Sequence, residues 1–170
     1  MTMSTLYLAQ AQRAIDYVKA KMPVGASNRD DNPRQAEARP LVEFARLDTA
    51  ELIRQGAKHP GKTIVNEAVA RGAGNCGEQV QVAFEYLKGL GVSPLDIFAY
   101  DQFSGKDHAW LVIGRPANAA RRWIDRSWGD AVICDPWDNI CQTALEDENV
   151  YGTARFALQK RWVRKEIADF

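Results

Sequence analysis

The feature that most constrains this chain is a change of hydrophobic period close to residue 90. Before it, apolar residues recur at helical spacing; after it, they alternate along the chain. Residues 5–22 carry Leu8, Ala11, Ile15 and Val18 on one helical face and stop at Pro23. Residues 41–56 return to that spacing through Leu41, Phe44, Ala45, Leu52 and Ile53, with Asp48 or Thr49 as a cap for the second half. Residues 63–71 read as a short helix with Ile64, Val65, Ala68 and Val69 inward. The clearest helix covers 76–90, where Val80, Ala83, Phe84 and Leu87 form the stripe and Gly89 and Gly91 end it. Strands follow over 95–100, 109–114 and 131–134, with a turn at 104–106 between the first two. A further strand is predicted over 156–163, with Phe156, Leu158 and Trp162 on one face. A block of helices followed by a block of strands predicts an α+β domain with an antiparallel sheet.

Residues 24–40 are polar and punctuated by Gly25, Pro33 and Pro40, so they are predicted to be a flexible surface segment within a single domain spanning 1–170. A chain of 170 residues can bury a core without disulfide or metal staples. Lys plus Arg and Asp plus Glu number 22 each, which gives no reason to expect nucleic acid or a membrane as partner. No apolar run approaches the roughly 18 residues that span a bilayer. Residues 1–20 lack a basic start followed by an apolar block, so no secretory signal peptide is expected. The expected location is the cytoplasm of the producing cell; delivery into a target cell by a dedicated export system is compatible with it. Cys76, Cys134 and Cys141 make an odd count, which favours free thiols in a reducing compartment over a disulfide framework.

Chemistry concentrates at three element boundaries. A Gly-rich loop at 72–75 leads straight into the helix whose first residue is Cys76. The unpaired N–H groups and partial positive charge of a helix N-terminus favour a thiolate there. Gly72 and Gly74 permit close approach of a substrate, and the Cys76 N–H can help to hold an oxyanion. His108 opens the strand that continues Ala109-Trp110, and a histidine suits the proton transfers such a nucleophile needs. Asp135 closes the strand before Pro136, where it can orient the His108 ring from a neighbouring strand.

Gly74-Asn75-Cys76-Gly77 before a helix, His108-Ala109-Trp110 opening a strand and Asp135-Pro136 closing the next resemble the transglutaminase-like branch of the papain-like cysteine enzymes. The match covers about residues 72–137, and the short Cys134-Asp135-Pro136-Trp137 form looks most like bacterial effector-type members. The resemblance implies a papain-like core with the Cys76 helix packed on an antiparallel sheet. It also implies acyl-enzyme chemistry at an amide of a protein or peptide substrate, by protease, glutamine deamidase or transglutaminase members, with no cofactor. Papain-type enzymes place a glutamine shortly before the cysteine as an oxyanion donor, whereas residues 66–71 here contain none. Asn66 and Asn75 are the candidates to replace it. Trp110 and Trp137 closely follow two of the triad positions and are candidates to wall the substrate site.

Plainer readings stand beside these. Cys76 fits a small core residue, His108 a polar strand end and Asp135-Pro136 a turn. Cys134 points away from Asp135 and reads as core, and Cys141 as a structural residue in a loop or helix start. A zinc site from Cys134, Cys141 and His108 lacks the short ligand pairing of such sites, so no metal is expected. Trp128, like the other tryptophans near strands, is as readily core as cleft. Glu78 suits the first helical turn through the dipole alone. The competing functional reading is a catalytically idle binding module of the same fold.

Overall fold

In a computed structural model, residues 2–100, 106–146, 151 and 155–164 are described. Four helices precede five strands: α1 (Met3–Lys21), α2 (Gln35–Arg54), α3 (Pro60–Arg71), α4 (Cys76–Gly89), then β1 (Leu95–Tyr100), β2 (Ala109–Ile113), β3 (Val132–Asp135), β4 (Ile140–Thr143) and β5 (Phe156–Trp162). The strands form one antiparallel sheet in the order β4-β3-β2-β1-β5. The fold is therefore α+β, as the change of period implied. Ser104 and Gly105 of the expected turn lie outside the described residues. Among the described residues, no helix is long and apolar enough to cross a membrane.

Strand alternation divides the sheet into two buried faces. On one face Leu95, Ile97, Leu111, Ile113, Val132 and Cys134 pack against α1, through Ala11, Ile15 and Val18, and against α4, through Val80, Ala83, Phe84 and Leu87. On the other face Phe98, Trp110, Val112 and Ile133 join Trp128, Ile124 and Tyr151. Arg115, fully buried, fixes the segment that covers this second face: its Nε donates to Asp96 at 2.8 Å and Nη1 to the Ala119 carbonyl at 2.9 Å.

Several local expectations are corrected. α2 starts at Gln35 and runs through Pro40 without a new cap at Asp48 or Thr49. β4 was not expected at all, and it places Cys141 in a strand paired with Cys134. The β1–β5 register shifts between Ile97 and Phe98, so Gln159 is an extra residue and the alternation of β5 flips there. Phe156 and Leu158 accordingly join the second face, while Trp162 packs with the helices on the first.

Residues 24–40, expected to be a flexible surface segment, include the first turns of α2 and backbone groups bonded to the loop before α4. Val24 and Ala26 are buried, and the Val24 N–H donates to the Gly72 carbonyl while the Gly74 N–H donates to the Gly25 carbonyl. Asn32 Nδ2 spans the Val24 and Ala26 carbonyls at 3.0 and 2.7 Å. Some of its polar groups pair locally, as Arg29 with Asp31 and Arg34 with Glu37, and others reach Gly72, Asn75 and Trp137, which composition alone does not reveal.

Candidate functional site

The loop before α4 is built by steric necessity. Gly72 ends α3 in the left-handed region at φ 66°, with its N–H on the last carbonyls of that helix. Gly74 faces Met22 and Glu78, whose Cβ would sit 2.6 Å from an added Cβ. These two glycines thus serve chain packing rather than substrate approach. The open position is Gly77, where an added Cβ would meet nothing within 4 Å.

Asn75 is the N-cap of α4, with extended backbone, and Cys76 is the first helical residue. The Asn75 N–H donates to Glu78 Oε2 at 2.9 Å, and the same carboxylate takes Arg46 of α2 at 2.8 and 3.2 Å. Glu78 therefore ties the start of α4 to α2, beyond the dipole role expected for it. Cys76 is 8% exposed, at the surface end of the helical core.

The sheet brings His108 and Asp135 to one end. Cys134 pairs with Leu111, so Asp135 lies one residue past that pair and His108 three residues before it. The His108 carbonyl accepts from the Tyr100 N–H at 3.1 Å, which fixes its backbone. His108 Nε2 lies 2.5 Å from Asp135 Oδ2. Asp135 is fully buried, and every lone-pair direction is used: Oδ2 also accepts from Tyr151 Oη at 2.7 Å, and Oδ1 accepts from the N–H groups of Trp137 and Asp138 at 3.0 and 3.1 Å. Those last two bonds form the turn that Asp135-Pro136 suggested. Here the turn also aims the carboxylate.

Burial alone would lower the proton affinity of His108. Hydrogen bonds from the ring to Asp135 and to Cys76, with the charges of both, outweigh it and push the pKa up from 6.5 to about 10. Of the three candidates, His108 and Asp135 are joined by a hydrogen bond, and Cys76 lies near enough to the ring to contribute to its raised pKa. Burial pushes the Cys134 and Cys141 thiols up from the ordinary value.

The remaining candidates separate. Asn66 is exposed on α3. Trp110 is fully buried behind the His108 ring, 6.2 Å away between centroids, so it supports the ring and does not touch solvent. Trp128 is likewise fully buried. Trp137 is half-buried and lines a cleft of about 230 Å³ with His108, Tyr100 and Tyr151. An apolar cleft of about 420 Å³ lies on the helical side, between Ala45, Ala50 and Ile53 of α2, Ile64 of α3 and Gly77 of α4.

Residues 27–29 join the two halves of the site, and nothing in the local sequence marks them. The Ser27 N–H and hydroxyl both reach Asn75 Oδ1, at 2.9 and 3.1 Å. Asn28 Oδ1 accepts from the Trp137 indole at 3.0 Å. Arg29 lies over the Trp137 ring at 4.7 Å, donates to the Trp137 carbonyl and pairs with Asp138 at 3.0 Å. Tyr151 is the other residue the sequence reading missed, because it belongs to no motif.

Among the described residues, one group has potential metal-ligand atoms close together: His108, Asp135 and Asp138. Asp135 already accepts from four donors and Asp138 pairs with Arg29, so the group is satisfied without a cation. When the chain is compared with known proteins, no family model matches it and no curated protein matches it.

Proposed function

We propose that this protein is a cysteine-dependent acyl-transfer enzyme that hydrolyses an amide of a protein or peptide substrate through a thioester on Cys76. The observation that carries this reading is the His108 imidazole bonded to the buried Asp135 carboxylate, with the Cys76 thiol at the start of α4 near enough to raise the pKa of the ring. Such a linked thiol, imidazole and carboxylate is the arrangement that activates a weak nucleophile. The papain-like, transglutaminase-like architecture suggested by the sequence motifs belongs to this same reading.

The chemistry follows from the geometry. His108 is protonated at neutral pH, because its pKa lies near 10. The sulfur of Cys76 attacks the amide carbon, the carbonyl oxygen takes up charge, and His108 gives its proton to the departing nitrogen. Water then attacks the thioester, His108 accepts its proton, and the acid is released with the Cys76 thiolate and the His108 imidazolium restored. Asp135, fixed by four donors, keeps the ring oriented through both halves. One cleft is lined by His108 and the other by Gly77, the residue after Cys76, so each offers substrate room next to a member of this centre. An amine in place of water would give transfer instead of hydrolysis.

The test is to trap the intermediate. The protein is incubated with a cell lysate or peptide library, quenched in acid and examined by intact mass for an adduct on Cys76. A cut chain identifies proteolysis, and an amide-to-acid change at a glutamine identifies deamidation. If native protein forms no adduct and changes no substrate, the proposal fails.

A further inference from the structure

The oxygen that takes up charge during acyl transfer needs preorganised N–H donors, and a site that lacks one loses about a hundred-fold or more in rate. The Cys76 backbone N–H is one such donor, since the first turn of a helix leaves its N–H groups without intrahelical partners. A second, side-chain donor must come from the surroundings of Cys76, and most of the amides and indoles there are already committed. Gln79 Nε2 donates to the Gly74 carbonyl at 2.8 Å. The Trp137 indole donates to Asn28. The Trp110 indole has no partner but is fully buried behind His108. Asn66 is exposed on α3.

Asn75 differs from all of these. It is 8% exposed and directly precedes Cys76. Its amide orientation is fixed by chemistry: a backbone N–H can only donate, so the Ser27 N–H at 2.9 Å identifies the facing atom as Oδ1. The Ser27 hydroxyl at 3.1 Å reinforces that choice. Nδ2 therefore points away from Ser27, and among the described residues it has no hydrogen-bond partner. Nδ2 is not one of the fully buried polar atoms left without a partner, so its N–H groups stay open to an incoming acceptor.

We infer that Asn75 Nδ2, with the Cys76 backbone N–H, forms the oxyanion hole of this site, and that Ser27 is the positioning residue that holds the Asn75 amide donor-outward. This rests on the proposed role of Cys76 as the acyl acceptor. It gives residues 24–34 a purpose: they carry Ser27 to the N-cap of α4 while Asn28 and Arg29 hold Trp137 across the cleft.

The test compares two reactions of the same thiol. In acetylation by p-nitrophenyl acetate, the Cys76 sulfur bonds to the acetyl carbon, the carbon–oxygen bond to p-nitrophenolate breaks, and charge passes through the carbonyl oxygen. In alkylation by iodoacetamide, sulfur displaces iodide at a saturated carbon and no oxyanion forms. Both rates depend on the thiolate fraction, so their ratio isolates the oxyanion contribution. Asn75→Ala removes the donor; Asn75→Asp keeps the capping oxygens for Ser27 but offers no N–H. The ratio of acetylation to alkylation at Cys76, mapped by mass spectrometry, should fall about a hundred-fold in both. Ser27→Ala should lower it by a smaller factor, and Ser27→Thr should restore it. If Asn75→Ala does not fold, Asn75→Asp decides. A ratio unchanged in folded Asn75→Asp overturns the inference, including the case where both rates fall together as a lost helix cap would require. Native protein that is alkylated but never acetylated at Cys76 overturns instead the acyl-transfer reading beneath it.

Discussion

Tyr151 Oη donates to Asp135 Oδ2 at 2.7 Å, the same oxygen that lies 2.5 Å from His108 Nε2. The carboxylate is fully buried, so its neighbours set both its geometry and its tolerance of substitution. Tyr151→Phe keeps the ring and removes only this donor. It should destabilise the protein by roughly 1.5–3 kcal/mol, the range for a hydrogen bond to a charged group, measured by denaturant unfolding.

Cys76→Ala should abolish turnover and leave circular dichroism unchanged, because the side chain sits at the surface end of α4. His108→Ala and Asp135→Ala should each cost orders of magnitude, and the double variant little more than the worse single one, since the unit is lost with either. Additive losses in a double-mutant cycle would argue against a coupled triad.

The raised pKa of His108 gives two expectations with definite sign. The folded protein holds this proton to about pH 10, whereas the ordinary value is 6.5. The stability it contributes is fully present below pH 6.5 and declines as pH rises through about 10. The stability difference between native protein and His108→Gln should narrow across that window. The alkaline limb of kcat/KM should lie near pH 10 and move to lower pH in Asp135→Asn, which loses the ring's charged partner.

Residues 24–34 should resist limited proteolysis and show slow amide exchange at Val24 and Ser27, whose N–H groups are bonded to the Gly72 carbonyl and to Asn75. Arg29→Ala should free the Trp137 ring, read as a shift in its fluorescence, and reduce activity without unfolding the domain. Cleavage first within this segment of the native protein would contradict its packing on the site.

Gly74→Ala and Gly77→Ala should differ sharply. The first drives a methyl into Met22 and Glu78 and should cost on the order of 1–3 kcal/mol by overpacking. The second meets open space, so the fold should keep its melting temperature, while the added methyl beside Cys76 should raise KM.

Where local pattern and local packing agree, the amino-acid order alone was sufficient. α4 was legible to within a residue because its apolar stripe, its preceding loop and its terminal glycines are all contiguous. The first two strands, β1 and β2, were legible as short apolar runs, although burial on both faces leaves little alternation in them. The same holds for the positions of Cys76, His108 and Asp135, each at the boundary of such an element. The sheet then decided what no window could contain. β4 is half-buried along its length and has no contrast to detect. The bulge in β5 depends on its pairing with β1. Gly74 looked like room for a substrate until Met22, far away in sequence, was found against it. Residues 24–40 read as a linker because polar composition does not say who accepts each hydrogen bond, and for 24–29 the partners include Gly72, Asn75 and Trp137. Local sequence specifies which groups the chain offers. Only the folded sheet and helices bring distant groups within hydrogen-bond range, and that step joined His108 to Asp135 and Tyr151 and brought Ser27 to the residue before Cys76.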